Sequence, residues 1–189
     1  WITSRGLGDV YKRQHMWFGD LVTMKWWDGI WLNEAFASLM EVIASYNTYP
    51  EFKQWNAMNM SRTAGFSIDS LENSRPVEFD VETPDQAEEM FDVLTYEKGS
   101  TVLRMFQMFI GEEAFQNGVE AYLNKFKFEN TNSSDLWDAL SEASNQPLNK
   151  ILPFWIREKG YPFLQVDCSN NFLTIKQKPF ILKNVETDK

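Results

Sequence analysis

The sequence predicts a mainly α-helical fold followed by the first strands of a β domain. Up to about residue 160, apolar residues recur at intervals of three and four in most of the chain, the period of amphipathic helices. After Tyr161, apolar and polar residues alternate on both sides of an Asn-Asn pair in "FLQVDCSNNFLTIKQK", which is typical of a β-hairpin. We therefore divide the chain into residues 1–14, a helical body over 15–160, and a truncated β domain over 161–189.

The N-terminal third of the helical body contains two predicted helices. Residues 1–14 are rich in Gly, Arg and Lys without a sustained period, so we predict no stable element there. The segment from Trp31 to Tyr46 has the apolar spacing of an amphipathic helix. A second helical pattern runs from about Pro50 to Thr63.

The middle of the chain begins with an extended connection over residues 76–81. Thr83, Pro84 and Gln86 then form a capping-box pattern, so a helix is predicted to begin there. Two further helices follow, separated near Gly111. The apolar residues of the first are predicted to be core residues: Val102, Leu103, Met105, Phe106, Phe109 and Ile110.

Two more helices complete the predicted body. Ser133 or Ser134 is expected to cap a short helix that ends at about Ser144. The last helix lies in "PLNKILPFWIREKG", and Gly160 and Pro162 are expected to terminate it.

Composition narrows the classes of partner and metal site. The chain has 189 residues, with 18 basic and 27 acidic side chains, and the basic ones are scattered, which argues against nucleic acid as a partner. Its single cysteine, Cys168, excludes an internal disulfide and any zinc site made only of cysteines. A metal would therefore be held by histidine and carboxylates. No apolar run reaches the roughly 18 residues of a membrane span, and the N-terminus has no basic segment followed by an apolar core of signal-peptide type. We therefore expect a soluble chain and assign it to the cytoplasm.

The only histidine, His15, precedes an isolated carboxylate, Glu34, in an aromatic-rich segment. On one straight helix the two would lie about 28 Å apart, too far to share an ion. Gly19, Asp28 and Gly29 interrupt the pattern and would let the chain turn back. A carboxylate among apolar residues is costly to bury without a positive partner such as a metal ion. The alternative is a solvated helical Glu34 and an ordinary core or surface histidine.

The segment "HMWFGDLVTMKWWDGIWLNEAFA" resembles the zinc-binding region of the aminopeptidase N family, whose signature is H-E-x-x-H, eighteen residues, then N-E. His15 corresponds to the second histidine, and eighteen residues separate it from Glu34. Downstream, "FDVLTYEKGSTVLRM" resembles the Tyr-x-Lys-Gly segment of the family, and "IREKGYPFLQV" resembles its passage into a β-sandwich. The segment "SRPVEFDVETPDQAEEMFDVLTYEKG" is similar in sequence to bacterial members of the family. The resemblance covers about residues 15–180.

This resemblance implies the C-terminal part of a thermolysin-like catalytic domain, followed by the start of a β-sandwich. The implied activity is a metallo-aminopeptidase that releases N-terminal residues from peptides with one zinc ion. His15 and Glu34 would be zinc ligands, and Tyr96 would donate a hydrogen bond to the oxyanion. Glu41, seven residues after Glu34 on the same helix face, would hold a ligating histidine. The alternatives are a Tyr96 with its hydroxyl in solvent and a Glu41 that is a solvated surface carboxylate.

The sequence departs from the family pattern directly before His15. Tyr11 occupies the position of the first histidine ligand, and Lys12 occupies that of the general-base glutamate. The G-x-M-E-N strand that binds the substrate amine is absent. The string "GLGDVYKRQ" resembles foreign ends left by sequencing-adapter read-through, so we interpret residues 1–14 as an unrelated leader. The alternatives are a pseudoenzyme and a non-catalytic helical scaffold. We expect this chain alone to bind zinc weakly and to be inactive.

Overall fold

The computed structural model describes residues 4–169 and 171–182, with side chains from residue 8 onward within these ranges. This part of the chain forms eight α-helices: α1 (Ser4–Gln14), α2 (Ile30–Thr48), α3 (Gln54–Asp69), α4 (Pro84–Glu89), α5 (Gly99–Ile110), α6 (Glu112–Phe126), α7 (Ser133–Ser144) and α8 (Leu148–Arg157). A π-helical turn, Leu94–Lys98, leads directly into α5. None of the described helices combines the length and the apolar character needed to cross a membrane.

Four strands form two separate two-stranded sheets within the described residues: β1 (Val22–Met24), β2 (Glu129–Thr131), β3 (Tyr161–Ser169) and β4 (Phe172–Phe180). Strands β1 and β2 are parallel, with Val22 opposite Glu129. Strands β3 and β4 form an antiparallel hairpin, with Tyr161 opposite Phe180. The mainly α fold and the C-terminal hairpin are therefore confirmed.

Helix α2 is the centre of the hydrophobic core. Its residues Trp31, Phe36 and Leu39 are fully buried. The Trp31 ring stacks on Trp137 of α7 with the ring centroids 5.2 Å apart, and Phe36 stacks on Phe18 at 4.4 Å. Burying aromatic side chains of this size removes a large apolar area from water. Because α2 also carries Glu34, the core holds this carboxylate in a fixed position.

A buried carboxylate, Glu78, connects three elements around this core. Its Oε2 atom accepts hydrogen bonds from the Trp31 indole at 2.9 Å and from the hydroxyl of Ser133. Its Oε1 atom accepts two from Arg157, at 3.0 and 2.6 Å. Glu78 therefore ties the extended connection to α2, α7 and α8. No pattern in the sequence indicates this role, since a single Glu between two apolar residues belongs to no helical or strand periodicity.

The N-terminal segment differs from the prediction. We predicted no stable element over residues 1–14, but Ser4–Gln14 is the helix α1, and residues 1–3 lie outside the described residues. The prediction was wrong because it used only the local periodicity of apolar residues. Helix α1 packs against α2, with Tyr11 and His15 both in contact with Glu34. Such tertiary packing often stabilises a helix that propensity alone does not predict.

Other boundaries show smaller differences. Thr83 and Gln86 form the predicted capping box. The cap of α7 is Asn132, one residue before the predicted serines. Phe109 is 61% exposed and not a core residue, because it lies on the outer side of α5 with its ring edge against Phe106. Helix α3 begins at Gln54 rather than at Pro50, since a separate 3-10 turn precedes it.

Candidate active site

The chain turns back between α1 and α2 and brings His15 to Glu34. The amide of Asp20 donates to the carbonyl of His15 at 2.9 Å, which closes the first part of the turn. Gly19 has a φ of +140°, a conformation that favours glycine. As a result, His15 Nε2 lies 3.4 Å from Glu34 Oε2, although the two residues are separated by eighteen others.

The second ring nitrogen of His15 has a backbone partner. His15 Nδ1 lies 3.0 Å from the carbonyl oxygen of Phe18. In a neutral imidazole, an Nδ1–H that donates to this carbonyl leaves the lone pair of Nε2 facing Glu34. This is the orientation in which a histidine and a carboxylate can share one metal ion.

Tyr11 is the third side chain at Glu34. Its hydroxyl donates a hydrogen bond to Glu34 Oε2, and its ring meets the His15 ring edge-on with centroids 4.8 Å apart. Burial raises the pKa of Tyr11 well above its ordinary value, and the hydrogen bond to Glu34 adds to this shift. The phenol therefore remains protonated and acts as a donor. Sequence reasoning identified position 11 but did not predict this contact.

Tyr96 joins the same group of side chains from the π-helical turn. Burial raises the pKa of Tyr96 to about 12, and the negative charge of Glu34 contributes to the shift. Tyr96 is thus a protonated phenol beside Glu34 at neutral pH. Single π-helical turns within α-helices occur frequently at functional sites, and this one could not be predicted from the apolar period.

Glu41 has different surroundings. Burial raises its pKa to about 7, and the charge of Glu97 adds to the shift. His15 Nδ1 has the Phe18 carbonyl as its partner, so the structure does not bring Glu41 to that nitrogen. Its predicted part in holding a ligating histidine remains a prediction. Asn33, to which the sequence assigned no chemistry, is buried and donates to Met24 Sδ at 3.0 Å, which connects α2 to β1.

The donors present do not complete a zinc site. His15 and Glu34 supply two of the three protein ligands that a catalytic zinc site uses. Over the described ranges, no group of three or more His, Cys, Asp or Glu side chains could hold a metal ion. The third side chain at Glu34 is the Tyr11 phenol, whose raised pKa disfavours the anionic form that a metal would need. Among the described residues, the side chains around Glu34 thus offer two candidate ligands, one fewer than a catalytic zinc site uses.

Comparison with known proteins gives the family. The profile of the "Peptidase family M1 domain" matches residues 12–155, which is most of the chain. The chain belongs to peptidase family M1. The matched range includes His15, Glu34, Glu41 and Tyr96, and it ends within α8, before the hairpin.

Several M1 relatives are similar over nearly the whole chain. Aminopeptidase M1-A of Oryza sativa subsp. japonica is 40% identical over 177 residues, which cover 94% of this chain and 20% of the relative. Probable aminopeptidase 2 of Sulfurisphaera tokodaii is 41% identical, covering 92% and 22%. Puromycin-sensitive aminopeptidase of Caenorhabditis elegans is 41% identical, covering 95% and 20%. The chain spans about a fifth of the length of these relatives.

Proposed function

We propose that this chain is part of a longer zinc-dependent aminopeptidase that releases N-terminal amino acids from peptides. Membership of family M1 and the aminopeptidase names of the relatives support this activity. The observation that carries the proposal is the 3.4 Å distance between His15 Nε2 and Glu34 Oε2, with Tyr96 beside them. A histidine and a carboxylate at such a distance can share one ion.

Each side chain has a proposed role in the longer enzyme. His15 and Glu34 would hold zinc together with a histidine that is missing here. When bound, zinc supplies an activated water molecule for attack on the first peptide carbonyl. Tyr96, whose phenol stays protonated well above neutral pH because its pKa is raised to about 12, would donate a hydrogen bond to the developing oxyanion. Glu41 would orient a ligating histidine from two turns further along α2.

The second candidate is a non-catalytic member of the same fold. One observation favours it: the Tyr11 hydroxyl donates a hydrogen bond to Glu34. This carboxylate therefore has a hydrogen-bond partner that is not a zinc ligand. A pseudoenzyme of this kind would retain the core and lack hydrolysis. Fold membership alone does not distinguish the two candidates.

The test begins with the genomic sequence upstream of His15. The proposal expects H-E-x-x there, in place of "YKRQ". The longer protein should then hydrolyse an aminoacyl-anilide, lose this activity with a chelator and regain it with zinc. A protein that contains H-E-x-x and zinc but hydrolyses no N-terminal residue would contradict the proposal. A natural upstream sequence that reads "YKRQ" would favour the pseudoenzyme.

In that longer enzyme, Tyr96→Phe tests the oxyanion role. The substitution deletes one oxygen and keeps the ring, so packing and zinc content should be unchanged. Since the hydrogen bond forms mainly in the transition state, kcat should fall by about 100-fold to 1,000-fold with little change in KM. Steady-state kinetics, with zinc content and thermal midpoint as controls, provides the measurement. A stable, zinc-loaded variant with nearly unchanged kcat would remove Tyr96 from the mechanism.

A further inference from the structure

We propose that two ion pairs, Arg75–Asp92 and Lys98–Asp69, position Tyr96 by fixing both ends of the π-helical turn that carries it. The inference rests on the proposed function, in which Tyr96 acts on the substrate. It assigns a positioning role to four residues that no sequence pattern indicated as a group. Its support comes from the contacts at the two ends of the turn.

The first ion pair holds the beginning of the turn. Asp92 Oδ1 accepts hydrogen bonds from the amides of Leu94 and Thr95, at 2.9 and 3.1 Å. The same oxygen lies 2.5 Å from Arg75 Nη2, which also donates to the Thr95 hydroxyl at 3.1 Å. Asp92 thus satisfies amides that have no partner within the first turn of a helix.

Arg75 is itself held by the backbone around it. Its Nη1 atom donates to the carbonyl of Pro76 at 2.7 Å, and its Nη2 atom lies 3.3 and 3.4 Å from the carbonyls of Glu89 and Met90. The planar guanidinium therefore joins the extended connection, the end of α4 and the π-helical turn. Because the donors of a guanidinium are fixed in one plane, these hydrogen bonds restrict both the orientation of the turn and its distance from Arg75.

The second ion pair holds the end of the turn. Lys98 Nζ lies 2.9 Å from Asp69 Oδ2, with side chains that are 9% and 3% exposed. The same ammonium donates to the carbonyls of Glu158 and Gly160, at 3.2 and 3.1 Å. Asp69 Oδ1 in turn accepts from the amide of Gly160 at 2.8 Å. Both charges are therefore paired and hydrogen-bonded, as burial requires.

Gly99, the residue after the turn, packs closely against α2. A Cβ atom at Gly99 would lie 2.8 Å from the Cβ atom of Ala35, so the backbone after the turn is in close contact with the neighbour of Glu34. The π-helical turn therefore lies close to Glu34, and the two ion pairs fix its ends at this position. Together these contacts determine which direction the Tyr96 side chain faces.

A π-helical turn needs such restraint because π-helical structure is rare and occurs mostly as single turns within α-helices. It contains one residue more than the equivalent α-helical turn. Relaxation to a regular α-helix would rotate the residues on one side of it by about 100° relative to those on the other. Tyr96 would then move away from Glu34 while α5 remained folded.

NMR on the full chain at pH 7, with tyrosines labelled with 13C at Cζ, tests the proposal. The chain has six tyrosines, and Tyr→Phe variants assign their resonances. The double variant Asp69→Asn/Lys98→Gln neutralises one pair without leaving a single buried charge. The Tyr96 resonance should shift toward that of a tyrosine peptide in water. The Tyr122 resonance should not shift, since its hydroxyl contacts Thr131 in another part of the core.

Two further variants keep the test decisive. Asp92→Asn acts at the other end of the turn, on a carboxylate that is 38% exposed, and decides the outcome if the double variant does not fold. Arg104→Gln/Glu112→Gln neutralises a pair outside the turn, with side chains that are 24% and 82% exposed, and should leave Tyr96 unchanged. An unshifted Tyr96 in every folded variant, or an equal shift of Tyr122, would overturn the proposal. Neither readout needs zinc or activity, so its failure is distinguishable from failure of the proposed function.

Discussion

At the scale of single residues, helix α2 holds two carboxylates in contrasting environments. Glu34 lies among hydrogen-bond donors, with Tyr11 bonded to it and His15 Nε2 at 3.4 Å. Glu41 instead lies near Glu97, and burial raises the pKa of both carboxyl groups. Two carboxyl groups in this arrangement favour the protonated form, because their charges repel and neither is fully solvated. Glu41 is therefore a residue at which pH should alter stability.

The expected sign follows from the two states. In the folded chain Glu41 has a pKa of about 7 against an ordinary value of 4.5, so the unfolded chain loses this proton first as pH rises. The contribution of Glu41 to stability should thus decrease between about pH 4.5 and pH 7. Glu41→Gln should raise the free energy of unfolding at pH 8 by about 1–2 kcal/mol, after allowance for solvent screening, and change little at pH 4.

Urea denaturation at the two pH values measures this effect. Glu142→Gln, an exposed carboxylate on α7, is the matched control and should have no pH-dependent effect. Equal stability of wild type and Glu41→Gln at pH 8 would show that Glu41 is well solvated in the folded state.

The sequence predicted only part of the site at this scale. The proximity of His15 and Glu34 was implied by the family resemblance, whereas the residues alone left open a solvated Glu34 and an ordinary histidine. The contact between Tyr11 and Glu34 could not be predicted, because it depends on α1. The apolar residues of this segment have no sustained helical periodicity that would have indicated the helix. The pairing of Arg75 with Asp92 also depends on tertiary structure, since the segments that contain them were matched by resemblance without a role for either residue.

At the scale of elements, the contact between α2 and α5 depends on a residue without a side chain. A Cβ atom at Gly99 would approach the Cβ atom of Ala35 to 2.8 Å, which real structures essentially never show. Gly99→Ala should therefore force the two helices apart. Overpacking of this kind costs about 1–3 kcal/mol of unfolding free energy, although alanine has the higher helix propensity.

A compensating change separates crowding from other effects. In the double variant Gly99→Ala/Ala35→Gly the total side-chain volume at the contact is restored, so stability should exceed the sum of the two single effects. Thermal or urea denaturation of the four chains completes the cycle. Strict additivity, or a Gly99→Ala chain as stable as wild type, would contradict the close contact.

Elements with a clear period or cap were predicted well. Helix α2, the capping box at Thr83 and the break at Gly111 appear where the sequence placed them. The π-helical turn and α1 were not predicted, because both depend on contacts with α2 rather than on local pattern. Propensity and period are weak evidence where tertiary contacts decide the conformation.

At the scale of the whole molecule, Glu78 joins parts of the chain that are distant in sequence. Its carboxylate binds Trp31, Ser133 and Arg157, which lie on α2, α7 and α8. Glu78→Ala would leave these donors without their buried acceptor. We expect a loss of about 1–3 kcal/mol in the free energy of unfolding, the cost of leaving buried donors unsatisfied, since the 68% exposed Arg157 side chain would be hydrated.

The matched control for this prediction is Glu72→Ala, an exposed carboxylate between α3 and α4. It should change stability by no more than about 0.5 kcal/mol. Urea denaturation of both variants provides the comparison. A Glu78→Ala chain as stable as the control would mean that water replaces the carboxylate in the folded state.

The C-terminal hairpin is the least buried part of the described chain. Val166 and Ile175, which are paired across β3 and β4, are 57% and 56% exposed. A two-stranded sheet with exposed apolar side chains is marginally stable by itself. We propose, in line with the family resemblance, that this hairpin is the start of a β-sandwich in the longer protein.

We propose that His15 and Glu34 are zinc ligands and that the third ligand of the site would stand at position 11. Tyr11 is one helical turn before His15, and its hydroxyl already contacts Glu34, so a histidine there would face the same point. Isothermal titration of this chain with zinc should give weak binding for wild type and for Tyr11→Phe. Tyr11→His should bind at least about tenfold more tightly, equivalent to about 1.4 kcal/mol, and adding Glu34→Gln should abolish the gain. Equal zinc affinity of Tyr11→His and Tyr11→Phe would contradict the claim.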